Sequence, residues 1–162
     1  MFLERDIFSK VIESAPLVSI DLVVTDSKGM VLLGERLNRP AKGCWFVPGG
    51  RVLKNEPMRE AFKRLTRDEL GLEYSIDRAS LLGIFDHFYD DYVFGNEITT
   101  HYVAIAFVIQ LDVQIENLPI NKQHCSYQWF SVPCLLADKK VHVHTKWYFD
   151  SYGNKDFIKE KG

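Results

Sequence analysis

A glutamate stands on the apolar face of a helix, and that placement constrains the chain more than its composition does. Pro57 sits where a helix's first turn tolerates proline, and Gly71 sits where a helix stops. Between them, Met58 to Leu70 sets Met58, Ala61, Phe62 and Leu65 on one face at 3-4 spacing. Glu69 falls one turn after Leu65 on that same face. A lone buried charge is too costly, so Glu69 is paired, protonated or bound to a metal, unless it rotates out to solvent at the helix end. The helix alone leaves these alternatives open.

The apolar face needs a sheet to cover it. Leu17 to Thr25 (LVSIDLVVT) reads as a strand, Asp26 to Gly29 as a turn, and Met30 to Leu33 as a second strand. Asp21 is a carboxylate inside that first apolar strand and therefore also needs a partner. Arg39 to Gly43 reads as a loop, and Trp45 to Gly50 (WFVPGG) as one short strand entering a glycine turn. Leu81 to Phe88 and Thr99 to Ile109 are further strands, joined by the polar segment Asp90 to Glu97, and Gln128 to Phe130 is a short last one. Phe2 to Ser14 is an amphipathic helix ended near Pro16, while Pro133 to Ala137 and Lys146 to Tyr152 read as helical or irregular. Strands mixed with few helices, outside strict βαβ alternation, predict an α/β chain of the α+β kind, a mixed β-sheet sandwiched between α-helices. Phe46 and Phe62 read as core.

Composition narrows the function classes. The chain has 162 residues, near the ~150-residue prior for one domain, and 46% of them are hydrophobic. With 20 Lys+Arg against 22 Asp+Glu the formal net charge is −2, which argues against a nucleic-acid binder but leaves room for a small anion held by a few arginines. Cys44, Cys125 and Cys134 are odd in number and form no C-x-x-C pair, so neither a disulfide framework nor a zinc knuckle is indicated. The start, MFLERDIFSK, has charges where a signal peptide needs an apolar run, and Val103 to Ile109 is far short of the ~20 residues that span a bilayer. A soluble, cytoplasmic, single-domain protein without membrane contact is the expectation.

From Gly50 the chain reads GRVLKNEPMREAFKRLTRDELGL, which resembles the Nudix box, G-x5-E-x7-R-E-U-x-E-E-x-G-U with U aliphatic. Gly50, Glu56, Arg64, Glu69, Gly71 and Leu72 match at the right spacing, and Asp68 replaces one glutamate. Leu65 stands where the family has the glutamate of R-E-U, and Thr66 stands at an aliphatic position. Losing that carboxylate points to fewer metal ions. Segments along the chain, from APLVSID (Ala15 to Asp21) through HFYDD (His87 to Asp91) and TTHYV (Thr99 to Val103) to QHCSYQWF (Gln123 to Phe130), are similar to the GDP-mannose mannosyl hydrolase branch of that superfamily, whose own box reads R-L-T.

The resemblance implies a single Nudix domain over 1–162, with the box at 50–72 and segment 1–16 taking part in dimer exchange. It implies one Mg²⁺ held by the Gly49 carbonyl, the Glu69 carboxylate and the Gln123 side chain, with His124 as general base. Arg36 and Arg51 hold the β-phosphate, Tyr102 assists the leaving group, and Asp21 contacts the sugar or orders the site. Phe2, Leu3 and Phe8 lie near the nucleotide, and Arg64, His87 and Tyr89 complete the substrate-binding set. The implied partners are GDP-mannose as substrate and a second copy of the chain, and the implied role is in polysaccharide biosynthesis.

Without the resemblance, His124 and Gln123 read as solvated loop residues and Arg36 as a surface charge. His87, His101, His142 and His144 do not form a three-ligand metal pattern, although His142 and His144 point the same way on an extended chain. The resemblance implies hydrolysis of GDP-mannose, and of GDP-glucose as a further candidate, to GDP and the free sugar by water attack at C1 with inversion. Three other readings stay open: cleavage between the phosphates, giving GMP and mannose 1-phosphate, nucleotide-sugar binding without turnover, and hydrolysis of an oxidised nucleoside triphosphate.

Overall fold

The computed structural model describes residues 3–112, 114–115, 117–119 and 124–150, the Cys125 side chain excepted. In order, the elements are α1 (Arg5–Ser14), β1 (Leu17–Thr25), β2 (Val31–Arg36), β3 (Trp45–Phe46), β4 (Gly49–Arg51), α2 (Met58–Leu70), β5 (Ser80–Tyr89), β6 (Thr100–Gln110), β7 (His124–Phe130), α3 (Val132–Ala137) and α4 (Val143–Lys146). The strands form one sheet along the path β3-β2-β1-β6-β5, with β4 added to β1 and β7 to β2. β1 and β6 are parallel and the remaining pairs antiparallel, so the sheet is mixed as expected.

Alternation along β1 divides the core in two. Ile20, Leu22 and Val24 face α2, where Ala61, Phe62, Leu65 and Leu70 cover them. Val23 faces the other way, with Val31, Leu33 and Ala106, against Leu135 of α3, Val141 and Tyr148. Helices thus lie on both faces, and Phe46 and Phe62 are core residues as read from the sequence.

The edges of β1 decide where a cavity can open. β6 pairs with it from Leu17 to Thr25, whereas the other edge is shared by β2, paired at Thr25↔Val31, and β4, paired at Ser19 to Asp21. β2 has therefore left β1 before the strand reaches Asp21, and β4 takes its place.

Three segments differ from the sequence reading. Pro48, which cannot donate to a ladder, divides Trp45 to Gly50 into two strands with different partners, β3 on β2 and β4 on β1. β7 begins at His124 rather than Gln128, because pairing with β2 from Val31↔Phe130 to Arg36↔His124 draws its polar start into the sheet. The last helical turn runs over Val143–Lys146, earlier than expected, with His142 as its N-cap accepting from the His144 amide at 3.1 Å. Thr66, at the aliphatic box position, is fully buried with both bonding capacities used: its hydroxyl donates to the Lys63 carbonyl and accepts from the Tyr74 amide, each at 3.0 Å. Among the described residues, no helix is long and apolar enough to cross a membrane.

Phe62 is fully buried and meets Phe107 edge-on at 5.5 Å between ring centres, tying α2 to β6. Phe62→Ala is expected to cost about 3–5 kcal/mol of folding stability. Urea titration checks this as a lower midpoint at unchanged slope.

Candidate active site

The loop after β4 is fastened to α2 by one ion pair. Arg64 donates through Nε to Glu56 at 2.6 Å and through a terminal nitrogen to its other oxygen at 2.9 Å. The same terminal nitrogen reaches the Arg51 carbonyl at 2.9 Å, and Glu56 also accepts from the Leu53 amide at 2.9 Å. The Arg64 guanidinium holds the Glu56 carboxyl below its usual range. Arg64, expected at the substrate, borders the cavity, but its guanidinium is engaged in fixing the backbone of Arg51.

A cavity of about 910 Å³ lies beside this staple where β2 and β1 part. Gly49 and Arg51 border it from β4 and Glu69 from α2, and Asp21 and Arg36 from β1 and β2. His87, Tyr89 and Tyr102 supply the wall from β5 and β6, and Leu3 and Phe8 the side nearest α1. The structure thus brings together every described residue of the expected site except His124. Gln123 and Phe2 lie outside the described residues.

Glu69 is 2% exposed, which decides between the alternatives for this carboxylate: it faces inward. Its Oε2 stands 3.2 Å from Nδ1 of His124, and Tyr127 Oη lies 3.4 Å from the same nitrogen. His124, read from the sequence as a solvated loop residue, is 1% exposed behind Glu69 and does not border the cavity. Gly34 on β2 makes room for it, since a Cβ there would overlap the imidazole. Gly49 is required for a similar reason: a Cβ would run into the Ile20 carbonyl oxygen.

The acidic set is thin. Leu65, in place of the family's glutamate, is buried in the α2 core next to Gly50, and Asp68 sits half-exposed at the cavity rim within 3.9 Å of Arg64. Among the described residues, no three His, Cys, Asp or Glu side chains converge on a metal position. The Glu69 carboxylate and the Gly49 carbonyl are hard oxygen donors on one cavity, a pair suited to a hard divalent cation completed by substrate and water oxygens.

Asp21 has the partner its position in an apolar strand demands. Tyr148 donates a short hydrogen bond to its Oδ2. Burial raises the Asp21 carboxyl, Tyr148 and the Arg36 charge pull it back, and it settles at about 6. Tyr148 has spent its one proton, so the 3.3 Å approach of His87 Nε2 is a bond donated by the imidazole to the phenol oxygen. His87 stacks on His144 at 4.3 Å, and His144 lies 4.5 Å from His142. Burial is the main force lowering all three imidazoles, His87 to about 3 and the others to about 4. Stacked faces do not aim nitrogens at a common point, and no metal position results.

Sequence reasoning missed Tyr148 and the gathering of His142 and His144 around His87. It also missed Phe94, which borders the cavity and meets Phe8 edge-on at 6.2 Å. Phe8 in turn packs under the Arg51 guanidinium, 4.3 Å from the ring centre. The only signal for any of these was that Asp21 needed a donor.

The NUDIX domain family matches residues 15–150. The low-salt glycan biosynthesis protein Agl8 of Haloferax volcanii is 40% identical over 146 residues, covering 90% of this chain and 88% of that protein. The ADP-ribose pyrophosphatase of Methanocaldococcus jannaschii is 34% identical over 96 residues, 59% of this chain and 52% of that protein. Among solved structures, the MutT protein of Methanosarcina mazei superposes with a TM-score of 0.69 at 19% identity over 88% of this chain and 97% of that one, a likeness of fold.

The histidine cluster gives the fold a pH dependence of definite sign. Between pH 6.5 and about 4 the unfolded chain binds protons that folded His87, His142 and His144 refuse, so stability falls as pH falls. Asp21, raised to about 6, acts in the opposite sense, one group against three. The thermal midpoint is expected to drop steadily from pH 7 to pH 4.5, and a level profile in calorimetry contradicts the neutral histidine wall.

Proposed function

Since the chain belongs to the NUDIX family of hydrolases, which generally use divalent metal ions, we propose that it hydrolyses GDP-mannose to GDP and mannose. Water attacks the sugar at C1 and inverts it, and one Mg²⁺ serves each site. The observation that carries this reading is Leu65, buried where another acidic ligand would stand, which leaves Glu69 as the one buried carboxylate the box offers to a metal. Likeness to a glycan biosynthesis protein over most of both chains supports a sugar nucleotide as substrate.

The chemistry suits such a site. A glycosidase expelling an alcohol uses both an acid and a base, normally two carboxylates. A diphosphate leaving group that accumulates charge beside cations needs no proton donor. Mg²⁺, held by Glu69, the Gly49 carbonyl and Gln123, would supply charge neutralisation on the diphosphate. Arg36 and Arg51 border the same cavity and hold the β-phosphate, and Tyr102 faces the leaving oxygen. Asp21 accepts from a sugar hydroxyl, and Phe8 and Leu3 border the nucleotide end. His124 is the base. Its Nδ1 stands 3.2 Å from Glu69 Oε2, a contact that would orient the ring from behind the cavity wall. The resemblance also supports a cytoplasmic homodimer that exchanges N-terminal segments.

A second reading is attack at phosphorus, favoured by the likeness to an ADP-ribose pyrophosphatase over part of the chain. Hydrolysis of GDP-mannose in ¹⁸O-labelled water separates the two. Label is expected in mannose beside unlabelled GDP; label in GMP or mannose 1-phosphate overturns attack at carbon.

His124→Gln keeps a polar group against Glu69 but removes the base, and is expected to lower kcat by ~10²–10⁴. Steady-state rates within about tenfold of the parent remove His124 from that role.

A further inference from the structure

We propose that Tyr148 is a positioning residue for the sugar: its hydroxyl fixes one oxygen of Asp21 so that the carboxylate offers the other, on the Gly49 side, to a sugar hydroxyl. The inference rests on the reading that the sugar of a nucleotide sugar lies at Asp21, and it adds a residue from outside every motif that pointed to the site. Tyr148 is 3% exposed, and its hydroxyl is committed at both ends, donating to Asp21 Oδ2 and accepting from His87 Nε2 at 3.3 Å. Its ring is braced edge-on by Phe85 at 4.9 Å, and His87 is braced by its stack on His144 at 4.3 Å. Asp21 Oδ1 remains beside Gly49, 3.2 Å from where a Cβ on that residue would stand, and both residues border the cavity. A carboxylate with one oxygen pinned has one orientation left, so a substrate that binds it spends no free energy on ordering it.

A tyrosine that only packs the core would affect nucleotide and sugar nucleotide alike; a tyrosine that orients Asp21 affects only the ligand carrying the sugar. Tyr148→Phe keeps the ring and removes the hydroxyl. The measurements are kcat and KM on GDP-mannose, the inhibition constant of GDP, and the same set for Asp21→Asn and the double variant. Loss of a hydrogen bond to a charged group predicts kcat/KM on GDP-mannose lower by about tenfold to a hundredfold. GDP inhibition is expected to stay within about twofold of the parent, and the double variant to be no worse than the poorer single one, because both act through one contact. Equal losses for GDP and GDP-mannose, no loss for either, or fully additive losses in the double variant overturn the proposal. Should the parent release no product from GDP-mannose, the functional reading has failed on its own. The positioning role is then read from calorimetric binding of ADP-ribose against ADP, where an unchanged ratio in Tyr148→Phe overturns it.

Discussion

Everything distinctive about this molecule follows from β1 being paired continuously on one edge and in two pieces on the other. A strand buried on both faces has little surface on which to display a polar side chain, and its interior residues are mostly apolar. At Ser19 to Asp21 the neighbour changes from β2 to the three residues of β4, and the sheet parts. Ser19 and Asp21 are found there, where an apolar strand can expose a carboxylate to an enclosed space.

The price of that arrangement is paid in partners. Two acids, Asp21 and Glu69, are each more than nine-tenths buried, and ionised groups at such depth are stable only when hydrogen-bonded or opposed by charge. Asp21 takes a phenol and the field of Arg36, while Glu69 takes an imidazole. Tyr148 and His124 come from a turn and a strand formed much later in the sequence. The cavity is thus lined by groups whose orientation is set by structure behind them, which is the condition for a site that need not reorganise when charge develops.

How much of this the sequence shows depends on the range of the interaction. The α2 segment is legible because its signals are local: a proline before, a glycine after, and an apolar period between them. The Glu56 to Arg64 pair is likewise a spacing along one loop and one helix. The mixed sheet follows from strands that alternate with too few helices for βαβ units. His124 was misread because it is flanked by polar residues and only pairing with β2 makes it a strand residue. Tyr148 was invisible for a stronger reason. Asp21 announces that it needs a donor, but nothing local to it indicates which of the chain's hydroxyls, amides or imidazoles will arrive. The three clustered histidines present the same problem, since two of them lie two residues apart at a helix cap and the third comes from a strand across the sheet.

The 127-residue separation of Tyr148 from Asp21 has a consequence for how the molecule is made. At roughly 5–20 residues per second, a chain under synthesis carries Asp21 for on the order of 6–25 s before its donor exists. During that time the carboxylate belongs to a strand that cannot bury it ionised, and the core over Ile20 and Leu22 itself waits for Phe107 and Ile109 of β6. Tyr148 follows every described strand of the sheet, so the donor to Asp21 is the last piece of the site to be made.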